Sequence, residues 1–125
     1  MLFRSFLASH PKIAYVNYCG LPGDKYHAVA EKYLPNGSCG VVSFGVKGGR
    51  EAAAAFMGHL KIAAIETHVA DARTCCLHPA SSTHRQMNDE QLIAAGVQPD
   101  LVRMSCGLED KNDLIHDIAQ ALDQI

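Results

Sequence analysis

No block of like charge, no apolar run long enough to span a bilayer, no C-x-x-C pair and no nucleotide-binding glycine signature occur in these 125 residues. Each absence removes a class of function. The formal charge is only -2, so no dedicated basic face exists to neutralise a nucleic-acid backbone. Without about 18 consecutive apolar residues there is no membrane-spanning helix. The start, Met1 to Leu7, is too short for a secretory signal and has no small-residue cleavage site. The five cysteines, Cys19, Cys39, Cys75, Cys76 and Cys106, are odd in number. They read as free thiols of a reducing, cytoplasmic setting. Cys75-Cys76 is a vicinal pair in an apolar run, and neighbours on a strand point to opposite faces.

What is present is an ordinary globular composition, 48% apolar and 19% charged, in a length that suits one domain over 1–125. Phe3 to Ser9 reads as the end of a helix, stopped at His10-Pro11. Ile13 to Tyr18 reads as a strand, and Asp24 or Lys25 to Tyr33 as a short helix closed by Leu34-Pro35-Asn36-Gly37. Val41 to Val46 predicts a buried strand. Gly48-Gly49 then opens a helix from Arg50 to His59, whose alanines favour helix and close packing. Strands are predicted at Ile62 to Thr67 and Thr74 to Leu77. A helix capped by Asn88 runs to Ala95, with Gly96 as its left-handed stop. Leu101 to Ser105 is the last strand, and Lys111 to Leu122 the closing helix, with Leu114, Ile118 and Leu122 in one stripe. The pattern predicts a two-layer α+β sandwich: a small mixed or antiparallel sheet with helices on one face.

Residues able to do chemistry are few. No serine sits in a nucleophile elbow, and none of the seven histidines falls in a zinc spacing. His78 and His84 flank a small-residue loop, where a metal pair competes with plain hydrogen bonding. A thiol or metal site on Cys75, Cys76 and His78 is a further alternative. The remaining polar groups are Thr67, His68 and Asp71 in one loop, Ser81 to Thr83 in another, and Arg103 inside the last strand. A guanidinium in an apolar run costs free energy unless an anion meets it. Two readings stay open for Arg103: a structural pair with a nearby Asp or Glu, or a two-pronged grip on a ligand carboxylate. The set suits holding a polar anionic ligand, not breaking bonds.

Five motifs follow one another in order: Tyr18-Cys19-Gly20-Leu21-Pro22, Lys32-Tyr33-Leu34-Pro35-Asn36-Gly37, Ser43-Phe44-Gly45-Val46-Lys47-Gly48-Gly49, His78-Pro79-Ala80-Ser81-Ser82-Thr83-His84, and Arg103-Met104-Ser105-Cys106-Gly107-Leu108-Glu109-Asp110. From about His10 to Leu122 this series resembles the C-terminal part of the Cys/Met-metabolism pyridoxal-phosphate enzymes. Within that family it is most similar to the O-acetylhomoserine sulfhydrylase (O-acetylhomoserine aminocarboxypropyltransferase) branch. Cystathionine γ-synthase, cystathionine γ-lyase and methionine γ-lyase are the alternatives inside the family, and a non-enzymatic small-molecule-binding module is the alternative outside it.

The resemblance implies the small C-terminal domain of a type I pyridoxal-phosphate fold. The large domain, which carries the Schiff-base lysine, the ring-stacking tyrosine and the phosphate-binding groups, lies outside this sequence. No motif here matches it, so the chain alone is expected to be inactive. Arg103 matches the family arginine that holds the α-carboxylate of the amino-acid substrate, with Thr67, His68 and Thr83 beside it. The clamp orients the substrate for proton removal at Cα and Cβ, loss of a γ-acetate and addition of sulfide or a thiol. Expected partners are the amino-acid substrate, the large domain and further copies of the full-length enzyme, in the cytoplasm. Four positions depart from the branch: His68 for an asparagine, Ala70 for a glycine, Cys19 for a proline and Cys106 for a valine. Residues 1–5 do not resemble the family's helix and are expected to be foreign to it.

Overall fold

The structure, a computed structural model, describes residues 3–125. Five strands, β1 (Ile13–Asn17), β2 (Val41–Val46), β3 (Ala64–Ile65), β4 (Cys75–Leu77) and β5 (Leu101–Ser105), form one sheet in the order β1-β2-β5-β4-β3. All neighbours are antiparallel except β3 and β4, so the sheet is mixed, as expected. Five helices accompany it: α1 (Phe3–Ser9), α2 (His27–Tyr33), α3 (Gly49–His59), α4 (Asp89–Ala94) and α5 (Lys111–Asp123).

Alternation along the strands decides the layering. Val42, Phe44 and Val46 of β2 point to the same side as Val102 and Met104 of β5 and Cys76 of β4. That side is covered by Leu7 of α1, by Ala53, Phe56 and Met57 of α3, and by Ile118, Ala121 and Leu122 of α5. Phe44 and Phe56 meet edge to face with centroids 5.9 Å apart. Both are fully buried, which stabilises the fold by about 2–3 kcal/mol each. Helices α1, α3 and α5 therefore lie on one face of the sheet.

Polar groups tie the layers. Lys12 Nζ donates to the carbonyls of Leu122 and Ile125, 2.8 and 2.6 Å away, and so places a cation on the unsatisfied end of α5. Asn88 and Gln91 form the reciprocal box that the sequence signals at the start of α4, and Gly96 takes φ +81° just after its end.

Two elements are shorter than the pattern predicts by more than one residue. The run from Ile62 to Thr67 is strand only at Ala64–Ile65. The buried carboxylate of Asp117 accepts the backbone N–H groups of Lys61, Ile62 and Ala63, at 2.8, 2.9 and 3.1 Å, and holds them as a loop. Helix α2 begins at His27 rather than at Asp24 or Lys25, because the Asp24 carboxylate accepts from the N–H groups of Tyr18 and Tyr26 and builds a turn there. Of residues 1–5, Met1 and Leu2 lie outside the described residues. Phe3, Arg4 and Ser5 form the first turn of α1, with the Arg4 guanidinium 5.3 Å from the Tyr18 ring centre.

Candidate functional site

Ser43 pairs with Asn17 on one side and with Arg103 on the other, and Arg103 pairs in turn with Leu77. These four stand in one row across β1, β2, β5 and β4, on the face turned away from the helices. They line a cleft of about 510 Å³, a size that accommodates a small ligand. Val41, Leu101 and Pro79 give it apolar walls, and Thr67, Thr83 and His84 close it from the loops.

Arg103 is half-buried in this cleft. One of its terminal nitrogens, Nη2, donates to the Thr67 carbonyl at 2.7 Å. Its Nε is buried with no hydrogen-bond partner among the described residues. The ion pairs among those residues join His27 to Glu31, Arg50 to Asp89, and His68 to Glu66 and Asp71; none involves Arg103. The reading in which a local carboxylate neutralises it is therefore not the arrangement adopted. A buried N–H without a partner is costly.

Strand β5 both carries Arg103 and builds the loop that orients it. Ser105 Oγ accepts from Ala70 N at 3.0 Å, and the Ala72 carbonyl accepts from Leu108 N at 2.8 Å. Glu109 accepts from Thr74 N at 2.8 Å and from Thr74 Oγ1 at 2.7 Å, while that hydroxyl accepts from Gly107 N at 2.8 Å. Burial pushes the Glu109 carboxyl upward, but the Thr74 hydrogen bonds outweigh it and hold the group below its ordinary value. A side chain at Gly107 would run into the backbone of Ala72, Arg73 and Thr74, so the close approach of this turn to the loop requires glycine. Ala70 takes φ +57°, the left-handed region where glycine is favoured.

The second loop is fixed by buried groups. His78 is 2% exposed. Its Nε2 donates to the Pro99 carbonyl at 2.8 Å, so its Nδ1 accepts from Ser81 Oγ, also at 2.8 Å. The ring is neutral in this arrangement, and burial lowers its pKa. With both nitrogens engaged, His78 has none left for the metal pair with His84. Arg50 reaches across from α3 to Asp89 at 2.6 Å and to the Ala80 carbonyl, also at 2.6 Å, and so pins both ends of the loop. Residues 79–81 form a single 3-10 turn that the sequence pattern does not announce.

The residues expected at the site divide. Arg103, Thr67 and Thr83 come together in the cleft. Thr67 acts through its backbone carbonyl, and the Thr83 hydroxyl lies 2.8 Å from His84 Nδ1. His68 is not among the lining residues; it is 64% exposed, 3.1 Å from Glu66 and 3.9 Å from Asp71. Asp71 turns its carboxylate to the N–H of Arg73. Ser81 and Ser82 spend their hydroxyls on His78. Cys76 lies in the core and Cys75 beside Glu66, and among the described residues no three His, Cys, Asp or Glu side chains gather to hold a metal. Asn17 and Ser43 were not singled out by sequence reasoning. The signal was the strand period: both share Arg103's parity once the register is known.

The model of the family described as Cys/Met metabolism PLP-dependent enzymes matches residues 2–123. The O-acetyl-L-homoserine sulfhydrylase of Leptospira meyeri is 44% identical over 121 residues, 96% of this chain and 27% of the relative. The homocysteine synthase of Schizosaccharomyces pombe is 44% identical over 118 residues, 94% of this chain and 28% of that protein. Among solved structures, a putative O-acetylhomoserine (thiol)-lyase from Campylobacter jejuni, determined with N'-pyridoxyl-lysine-5'-monophosphate, superposes with a TM-score of 0.87 at 36% identity. The match covers 97% of this chain and 29% of that one. The chain thus spans less than a third of the length of these relatives. It belongs to the Cys/Met metabolism PLP-dependent enzyme family.

Proposed function

We propose that this chain is the substrate-carboxylate-binding part of an O-acetylhomoserine sulfhydrylase-like enzyme of sulfur amino-acid metabolism. Arg103 grips the α-carboxylate, with Thr67 and Thr83 at its side, and the chain has no activity without the cofactor-bearing remainder. The observation that carries this reading is the buried, unpartnered Nε of Arg103 in a cleft where no protein carboxylate meets it. A guanidinium offering Nε and a terminal nitrogen on one edge matches a carboxylate's two oxygens.

The family's cofactor, pyridoxal phosphate, does not fit this chain's own residues. Holding it covalently requires a lysine amine, and no lysine lines the cleft. Lys12 is committed to the end of α5, while Lys25 and Lys32 lie over the rings of exposed Tyr26 and Tyr33. The reading therefore assigns cofactor chemistry to a large domain and assigns this chain binding and orientation. It also assigns the enzyme to the cytoplasm as a homo-oligomer. Five free cysteines support the compartment, and among the described residues no helix is long and apolar enough to cross a membrane.

The test is Arg103→Ala in a complete enzyme in which this chain follows a family large domain. Removing one partner of a desolvated, doubly hydrogen-bonded charge pair costs about 3 kcal/mol, which raises KM for O-acetylhomoserine about 100-fold. An unchanged KM would contradict the assignment.

A further inference from the structure

The row that carries Arg103 continues beyond it, and its other polar members have no work in the fold. Tyr15, two residues before Asn17 in β1, donates its hydroxyl to Asp100 at 3.1 Å. By contrast, the Asn17 carboxamide and the Ser43 hydroxyl make no hydrogen bond to any described residue, although both line the cleft. Strands lie about 4.8 Å apart, so Ser43 stands about 5 Å and Asn17 about 10 Å from Arg103 along the row. Among the residues lining the cleft, Arg103 is the one permanent cation, and no acidic side chain is present. The cleft therefore changes along the row, from a cation at β5 to neutral hydrogen-bonding groups at β2 and β1.

We infer that Asn17 and Ser43 are specificity-determining residues. They read an uncharged carbonyl, of an ester or amide, on the far end of a short amino acid whose carboxylate rests on Arg103. This rests on the proposed role of Arg103 and adds a second recognition point to it. A carboxamide and a hydroxyl can each donate to such a carbonyl oxygen. A second carboxylate at that end would lose its water and find no cation, so the cleft selects monocarboxylates with a neutral polar tail. An apolar tail of the same length would leave both groups dry and unpaired.

The experiment uses the 125-residue chain labelled with nitrogen-15. Its Arg103 Nε–H and Asn17 side-chain NH₂ signals are followed during titration with O-acetyl-L-homoserine, L-norleucine and L-2-aminoadipate. All three ligands shift the Arg103 signal. Only O-acetyl-L-homoserine shifts the Asn17 signal, and it binds about fivefold more tightly than norleucine, the worth of one ordinary net hydrogen bond. Asn17→Ala removes that fivefold preference by weakening O-acetyl-L-homoserine and tightening norleucine, which no longer leaves a carboxamide dry, and Ser43→Ala reduces the preference in the same way. An Asn17 signal that stays still while Arg103 responds, or a preference that survives both variants, overturns the inference and leaves the Arg103 role standing. Failure of all three ligands to move Arg103 overturns both.

Discussion

Replacing Asp117 by alanine should cost the fold about 3–4 kcal/mol. Asp117 is 4% exposed, and its carboxylate accepts from three consecutive backbone N–H groups, those of Lys61, Ile62 and Ala63. Ala63 is buried, so its orphaned N–H would cost about 1–3 kcal/mol. Lys61 is exposed and Ile62 half-buried, so water replaces part of what they lose, at about 0.5–1.5 kcal/mol each. Asp117→Asn keeps the shape but exchanges one acceptor for a donor facing an N–H, and should cost about half as much. Urea denaturation followed by circular dichroism measures both variants. With a slope of about 2 kcal/mol/M, the alanine variant's midpoint falls by about 1.5–2 M. The loss matters to the site as well as to the fold, because residues 61–63 lead through β3 to Thr67, whose carbonyl holds Arg103. A loss below about 1 kcal/mol for Asp117→Ala would refute the view that one carboxylate organises this segment.

Two further perturbations test the loop beside Arg103. Ala70→Gly relieves a left-handed backbone and should stabilise the chain by about 0.5–1 kcal/mol, read as a higher melting temperature; a lower one would show that the methyl group packs usefully. Glu109 has its folded pKa depressed, so its contribution to stability is fully present above the carboxyl's unfolded value and is lost as pH falls through the folded one. Glu109→Gln should therefore lower the melting temperature at pH 7 and converge with the parent chain in acid; a gap that stays constant down to pH 2 would contradict the Thr74 pairing.

The sandwich was legible because its strands and helices keep their periods. Leu114, Ile118 and Leu122 mark the buried stripe of α5, and the Asn88–Gln91 box marks the start of α4. Arg103 was legible for a similar reason, as the one charge interrupting an apolar strand. What stayed hidden depends on contacts distant in sequence. Nothing near residues 61–67 announces that a carboxylate 50 or more positions away takes their N–H groups, so the expected strand was too long. His68 stands out only through the resemblance, at the place of the branch's asparagine, and no local pattern announces that its ring lies 3.1 Å from Glu66. Asn17 and Ser43 could be joined to Arg103 only through the register of β1 on β2 and of β2 on β5, which no local pattern encodes. Ala70 is the inverse case. Its departure from the glycine usual in the branch it resembles was visible in the sequence, and its φ of +57° supplies the physical meaning.

The most direct measurement is a crystal structure of the complete enzyme, with this chain as its C-terminal part, bound to its amino-acid substrate. The account predicts both oxygens of the α-carboxylate within hydrogen-bonding distance of Arg103 Nε and a terminal guanidinium nitrogen. A carboxylate held elsewhere, with Arg103 turned to a protein Asp or Glu or out into water, would contradict it.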